Sequence, residues 1–215
     1  NLLVRSGMIK KIGAGIYMFM PLGLRTFNNI KNIIKEEMDN AGAQELLMPS
    51  LIPEEYYEVC GRVASLGSSM FHLQDRYSKP YVLGPTHEEL FTVAAKNMVK
   101  SYKDLPFTIY QQAPKYRDEP RPRYGLIRVR EFTMKDAYSF HTSEESLDTV
   151  YTEYYDAYNR IFARAGIPEV VAVASDTGMM GGSTAHEYML LCDAGEDKIV
   201  TCGSCNFSAN MDVAE

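Results

Sequence analysis

The chain has no run approaching the roughly 18 consecutive apolar residues of a membrane-spanning helix, so none is expected. It has few cysteines. Cys60, Cys192, Cys202 and Cys205 are too unevenly spaced to read as a disulfide framework. They point to a reduced protein and a cytoplasmic location. Positive charge is not in excess: 22 Lys and Arg against 28 Asp and Glu leave a net charge of −6 at pH 7. That balance argues against indiscriminate coating of nucleic acid, though not against a local basic site. The opening residues, NLLVRSGMIKKIGAG, lack the apolar core and small-residue cleavage site of a secretory signal. The first residue is Asn, so the natural start is expected to lie elsewhere. No internal repeat or low-complexity linker interrupts the chain. With 46% apolar and 23% charged residues over 215 positions, the composition is that of an ordinary globular protein with one large domain or one and a half small ones.

Periodicity supplies the organisation. Residues 21–41 read as a helix, with Pro21 in the first turn, Phe27, Ile30, Ile33, Ile34 and Met38 at helical spacing, and Gly42 just past the end. AQELLMPSLI reads as a short strand, placed at an edge or interface by Pro49. KPYVLGPTHEELFTVAAKNMV reads as a strand, a Gly84-Pro85 turn and a helix. LPFTIYQQAPKYRDE and GLIRVREFTMKDAYSF read as paired strands around the loop PRPRY. Thr142 and Glu145 match a capping box for a helix running to Ala165. EVVAVAS, HEYMLLC and DKIVTC are short strands or turns. Strand pairs with helices between them predict an antiparallel sheet with helices packed on it.

One stretch departs from the acidic background. From Lys115 to Lys135 seven Lys and Arg face three Asp and Glu, a local charge of +4. Strand alternation would put Arg117 with Glu119 on one face, and Arg128, Arg130, Phe132 and Met134 on one face of the returning strand. Guanidinium groups fit phosphate oxygens, a phenyl ring offers a surface for a base, and a carboxylate can accept from an exocyclic amine. Together these fit a nucleoside triphosphate. A solvated edge hairpin with its charges outward fits the same residues.

Three further motifs are weaker alone. In GPTHEE, Thr86 and Glu89 match a capping box, which leaves Glu88 free to project toward a cleft, where with Thr86 it could take a small ammonium group. In DTGMMGGSTAHEY, the glycines allow close backbone approach, and His186 with Glu187 opens a strand; a tight turn beside a half-buried histidine explains it equally. Cys202-Gly-Ser-Cys205 is half of a zinc knuckle, but no second ligand pair follows at ligand spacing, so two reduced thiols at a turn and no metal site are expected.

Taken in order, these stretches resemble the catalytic half of a class II aminoacyl-tRNA synthetase, and within that class the bacterial-type prolyl-tRNA synthetases. YRDEPRPRYGLIRVREFTMKDAYSFH resembles motif 2 and MPSLIPEEYYEVCGR resembles motif 1 with its proline, Pro49. LGPTHEELFT resembles the substrate loop, and DTGMMGGSTAHEYMLL with GEDKIVTC and SAN resembles the segment leading into an inserted domain. The resemblance implies an α+β fold, an antiparallel β-sheet flanked by helices, here an incomplete catalytic core. It implies a core over residues 1–190 and the start of the segment toward the editing domain over 191–215, with motif 3, editing and anticodon-binding domains absent.

The resemblance also implies roles. Arg117 would hold the α-phosphate of ATP and the amino-acid carboxylate, Glu119 would read the adenine amino group, Arg128 would reach the triphosphate, and Phe132 would stack on adenine. Thr86 and Glu88 would bind the imino nitrogen of L-proline, with Gly181, Gly182 and His186 lining the prolyl pocket. Arg121 and Arg123 would meet the acceptor stem of tRNA(Pro). ATP with Mg2+ is the implied cofactor set, and a homodimer through the motif 1 region the implied assembly. The implied reaction activates proline to prolyl-adenylate and passes it to the tRNA 3′-hydroxyl, with no protein nucleophile, by positioning and charge neutralisation. A small apolar pocket discriminates poorly against alanine or cysteine, so editing is the implied remedy. Without motif 3, whether the chain is a fragment or a natural short paralogue, weak or no aminoacylation by it alone is expected. The alternatives are a non-catalytic synthetase-like protein that binds ATP or tRNA as a regulator, which the intact nucleotide residues oppose, and a threonyl-type enzyme, for which the separated zinc ligands are missing.

Overall fold

A computed structural model describes residues 2–178, 181–192, 195, 197–205 and 207–214. It divides into two compact units, Asn1–Tyr154 and Tyr155–Glu215. Helices and mainly antiparallel strand pairs alternate along the chain, the α+β class expected from the sequence.

The first unit opens with a short helix α1 (Leu2–Arg5) and a hairpin of β1 (Ile9–Gly13) and β2 (Ile16–Phe19) that the sequence pattern does not announce. Helix α2 (Pro21–Asn40) follows, with Pro21 in its first turn, where a missing N–H costs nothing. Gly42 at φ 77° ends it: its N–H reaches Asp39 O at 3.0 Å and the Ala43 N–H reaches Met38 O at 3.1 Å, satisfying the last carbonyls. Gly23 is required inside the helix because a Cβ there would run into the backbone carbonyl of Met8.

The predicted strand AQELLMPSLI is two strands in two sheets. β3 (Gln44–Glu45) runs parallel to β7 (Phe107–Tyr116), and β4 (Leu51–Pro53) runs antiparallel to β6 (Pro80–Leu83). Pro49 lies in the irregular link between them, where the backbone changes sheets and no ladder N–H is needed. Two short helices, α3 (Glu55–Glu58) and α4 (Arg62–Leu66), precede β5 (Phe71–Gln74), which completes the order β4-β6-β5. Ile52, Tyr57, Met70, Val82 and Leu90 form a buried cluster here, tying this sheet to helix α5 (Glu88–Met98). β7 pairs with β8 (Glu131–Phe140) through ten residues, from Phe107 opposite Phe140 to Tyr116 opposite Glu131. Phe91 of α5 packs its ring 4.3 Å from that of Tyr138 in β8.

Both predicted capping boxes are corrected. α5 starts at Glu88 with His87, not Thr86, at the cap position and no side-chain cap bond, and the Thr86 hydroxyl donates to Glu88. Helix α6 (Glu144–Arg164) is capped by Ser143, whose hydroxyl accepts from the Ser146 N–H at 3.3 Å.

The second unit holds a four-stranded sheet of order β10-β9-β12-β11: β9 (Val170–Ala174), β10 (His186–Leu190), β11 (Ile199–Thr201) and β12 (Ser208–Asn210). β9 pairs antiparallel with β10 and parallel with β12, where Ala209 faces Ala174.

Candidate functional site

The β7–β8 hairpin ends earlier than the charge pattern predicts. β7 stops at Tyr116 and β8 begins at Glu131, so Arg117, Glu119 and Arg128 belong to the connecting loop. The ladder reaches one pair further, the Arg117 N–H bonding Arg130 O at 2.9 Å. That pair keeps Arg117 in the alternation, and its guanidinium carbon lies 5.3 Å from the Phe132 ring centroid. Glu119 and Arg128 meet through loop closure: Arg128 Nε stands 3.9 Å from Glu119 Oε2. Paired backbone bonds between Arg123 and Arg128, 3.1 and 3.2 Å, close the loop, and the Arg130 Nε–H donates to Glu119 O at 3.1 Å. Arg121 and Arg123 are exposed toward the tip.

A second strand end carries the ammonium-type site. The Tyr116 N–H donates to Gly84 O at 3.1 Å, so the turn after β6 is stitched to the end of β7. Arg117 reaches the same turn, its Nε–H donating to Pro85 O at 3.4 Å. Beyond Pro85, the Thr86 hydroxyl donates to both Glu88 carboxylate oxygens, at 2.7 and 2.6 Å. The buried Tyr57 hydroxyl fixes Thr86 from behind, donating to its carbonyl at 2.6 Å. The Glu88 side chain stays 22% exposed, with Arg62 Nη1 at 3.4 Å. A carboxylate held by a hydroxyl and still open to solvent can accept a cationic amine. The structure therefore brings Thr86, Glu88, Arg117 and Phe132 into one contiguous region, with Glu119 and Arg128 on the adjoining loop.

Residues absent from the sequence reading support this region from below. Lys115, opposite Phe132 in the ladder, is fully buried and pairs with Asp136 at 3.0 Å. Gln111 Nε2–H and the Tyr138 hydroxyl donate to the other Asp136 oxygen at 3.1 and 3.2 Å. Burial pushes the Lys115 ammonium below its ordinary range, and Asp136 pulls it back. Alternation marked this pair, since Gln111, Ala113 and Lys115 share one buried face. Arg62, which spans Glu88 and, at 3.1 Å, Glu89, had no such signal.

His87 is buried at the centre of the turn, with ring Nε2 3.0 Å from Pro49 O. Gly84 has to be glycine, because a Cβ there would come within 2.6 Å of the His87 ring. Burial first, then the nearby Lys115 charge, hold the imidazole below the ordinary histidine range. The unfolded chain therefore takes up a proton near pH 6.5 that the folded chain refuses. Stability from this group is complete above about pH 6.5 and falls with pH toward the folded pKa, by at most ~1.4 kcal/mol per pH unit. Denaturant unfolding between pH 7 and 5 should show a shallower slope in His87→Gln than in the parent; identical slopes would refute it.

In the second unit, Gly181 and Gly182 take φ values of 72° and 100°, which only glycine adopts freely. Met179 and Met180, in the same glycine-rich run, lie outside the described residues. His186 opens β10 opposite Ala174, its ring 5.6 Å from Tyr155 in an edge-on arrangement. Among the described residues no group of three or more His, Cys, Asp or Glu could hold a metal ion.

Residues 71–214 match the family model of the tRNA synthetase class II core domain (G, H, P, S and T). The chain belongs to this family. Among curated relatives it is similar to the proline--tRNA ligases of Caldicellulosiruptor saccharolyticus, 51% identical, and Syntrophotalea carbinolica, 50% identical, each over all 215 residues. The chain spans 37% and 38% of their lengths. Among solved structures, it shares its fold with Giardia lamblia prolyl-tRNA synthetase in complex with prolyl-adenylate (TM-score 0.73, 23% identity, 80% of this chain and 36% of that one). It also shares it with Cryptosporidium parvum prolyl-tRNA synthetase complexed with halofuginone and AMPPNP (TM-score 0.79, 18% identity, 87% of this chain and 40% of that one).

Proposed function

We propose that the chain forms part of the active site of a proline--tRNA ligase, which activates L-proline with ATP and transfers it to tRNA(Pro). The observation that carries this reading is the double reach of Arg117, stacked 5.3 Å from Phe132 on one side and bonded to Pro85 beside Thr86 on the other. Phe132 takes the adenine ring, Glu119 its amino group, and Arg128 the triphosphate. Thr86 and Glu88 take the imino nitrogen, and Arg117 lies between proline carboxylate and α-phosphate. The reacting carboxylate is its own nucleophile, so these residues act by alignment and by matching charge as it develops on phosphorus. The exposed Arg121 and Arg123 meet acceptor-stem phosphates.

Mg2+ would arrive on the triphosphate, where it would draw off phosphate charge. Magnesium commonly keeps water and phosphate oxygens as most of its ligands, so few protein contacts would be needed. Residues 1–190 would serve as core and 191–215 as the lead into an editing insertion. A homodimer through the motif 1 region fits the apolar side chains left bare there, with Leu51 52% and Val59 90% exposed. No helix among the described residues is long and apolar enough to cross a membrane.

ATP–pyrophosphate exchange screened over the twenty amino acids, in the full-length protein carrying this chain, tests the reading. Proline should give the strongest stimulation, with alanine and cysteine below it by the 10- to 200-fold that a small apolar pocket permits, as an order of magnitude. Stimulation by another amino acid above proline would overturn it.

A further inference from the structure

The loop joining β11 to β12 carries two cysteines that the proposed chemistry leaves unused. Thr201 faces Ser208 at the end of the strand pair, and the Cys202 N–H donates to Phe207 O at 2.9 Å, closing the loop. Within it, Cys202 and Cys205 stand three residues apart on a tight turn, and both are exposed. The Ser204 N–H donates to Cys202 Sγ at 3.4 Å.

We propose that Cys202 and Cys205 form a reversible dithiol–disulfide pair whose oxidant is a low-molecular-weight disulfide. Cys202 is the attacking sulfur. Its thiolate displaces one thiolate from the oxidant and leaves a mixed disulfide on Cys202. The Cys205 thiolate then attacks Cys202 Sγ, forms the internal disulfide and expels the second thiolate. Two electrons pass to the oxidant, which leaves as two thiols, and the two cysteine protons go to solvent and the leaving thiolates. The Ser204 amide first, then the Cys205 thiol and amide, hold the Cys202 thiol below the ordinary thiol range, which favours the first step. Cys60 contrasts with it: burial pushes its thiol up, and its one S–H has Glu89 Oε1 at 3.3 Å and Tyr57 O at 3.4 Å as alternative acceptors. A tetrahedral metal would need two further ligands, and the described residues supply no such group. The oxidised pair would lock the end of a hairpin whose β12 touches β9 at Ala174, the residue also paired with His186.

The test treats the reduced full-length protein, held in chelator, with oxidised glutathione and maps thiols by alkylation and peptide mass. The parent should lose two hydrogens in the peptide holding residues 202–205, with Cys60 still alkylatable. Cys205→Ser should stop at a glutathione adduct on Cys202, and Cys202→Ser should react more slowly by about tenfold or more. A persistent adduct in the parent, or reaction at Cys60 first, would overturn the proposal. So would one chelator-resistant Zn2+ per chain, which makes the loop a metal site. None of these readouts depends on proline activation, so the proposal can fail while the synthetase reading stands.

Discussion

Replacing Arg117 with alanine should lower proline-dependent ATP–pyrophosphate exchange by about a hundredfold to a thousandfold, judged from the cost of removing one preorganised charge-stabilising donor. The estimate is a floor because Arg117 has several tasks at once. Its guanidinium packs on Phe132, its Nε–H anchors on Pro85 O, and its backbone pairs with Arg130 at the loop base. On the proposed reading the same group neutralises charge on both reactants, so the loss should fall mainly on kcat, with a smaller rise in KM for proline. Arg117→Lys keeps the charge but loses the planar fork and should recover only part of the rate. Because the side chain is exposed, the variant should stay folded. Near-parent exchange in Arg117→Ala would refute the assignment of this site.

The second large effect concerns stability. Lys115→Met leaves the Asp136 carboxylate buried, with Gln111 and Tyr138 as its remaining partners. Removing one partner of a buried ion pair costs about 3–5 kcal/mol, since the remaining charge is uncompensated. Lys115→Met with Asp136→Asn should recover more than half of that loss, because the neutral amide still accepts from Gln111 and Tyr138. Denaturant unfolding measures both. A single-variant loss below about 1 kcal/mol, or no recovery in the double variant, would show that the pair is not what holds this face together.

How far the fold was legible depended on pattern length. Helices α2 and α6 carry their periodicity over 20 and 21 residues, and the β7–β8 strands are ten residues each, so they stood out. The β1–β2 hairpin did not, because its strands are five and four residues long and mostly exposed, with two lysines in the first. Caps failed for a local reason: Thr86 and Thr142 matched the spacing, but each lies one residue too early, with His87 and Ser143 nearest their helices. At the site, Arg117 and Phe132 were legible because alternation persists to the last backbone pair. Glu119 and Arg128 meet by loop closure, which no strand rule describes. Arg62 lies 26 residues from Glu88 and is brought to it only by tertiary packing.

The base of the β7–β8 loop is pinned twice: Arg117 bonds Arg130, and the Arg130 N–H bonds Gly15 O at 2.9 Å. Gly15 itself has no latitude, because a Cβ there would lie 2.9 Å from the Arg130 nitrogen. Beyond these pins the Arg123–Arg128 backbone pair closes the loop, leaving residues 124–127 as its outermost turn, and loop closure free energy changes slowly with length. A change of length within residues 124–127 should therefore leave Arg117 in place against Phe132. The region can tolerate a change of length at its outer end while backbone bonds fix its inner end.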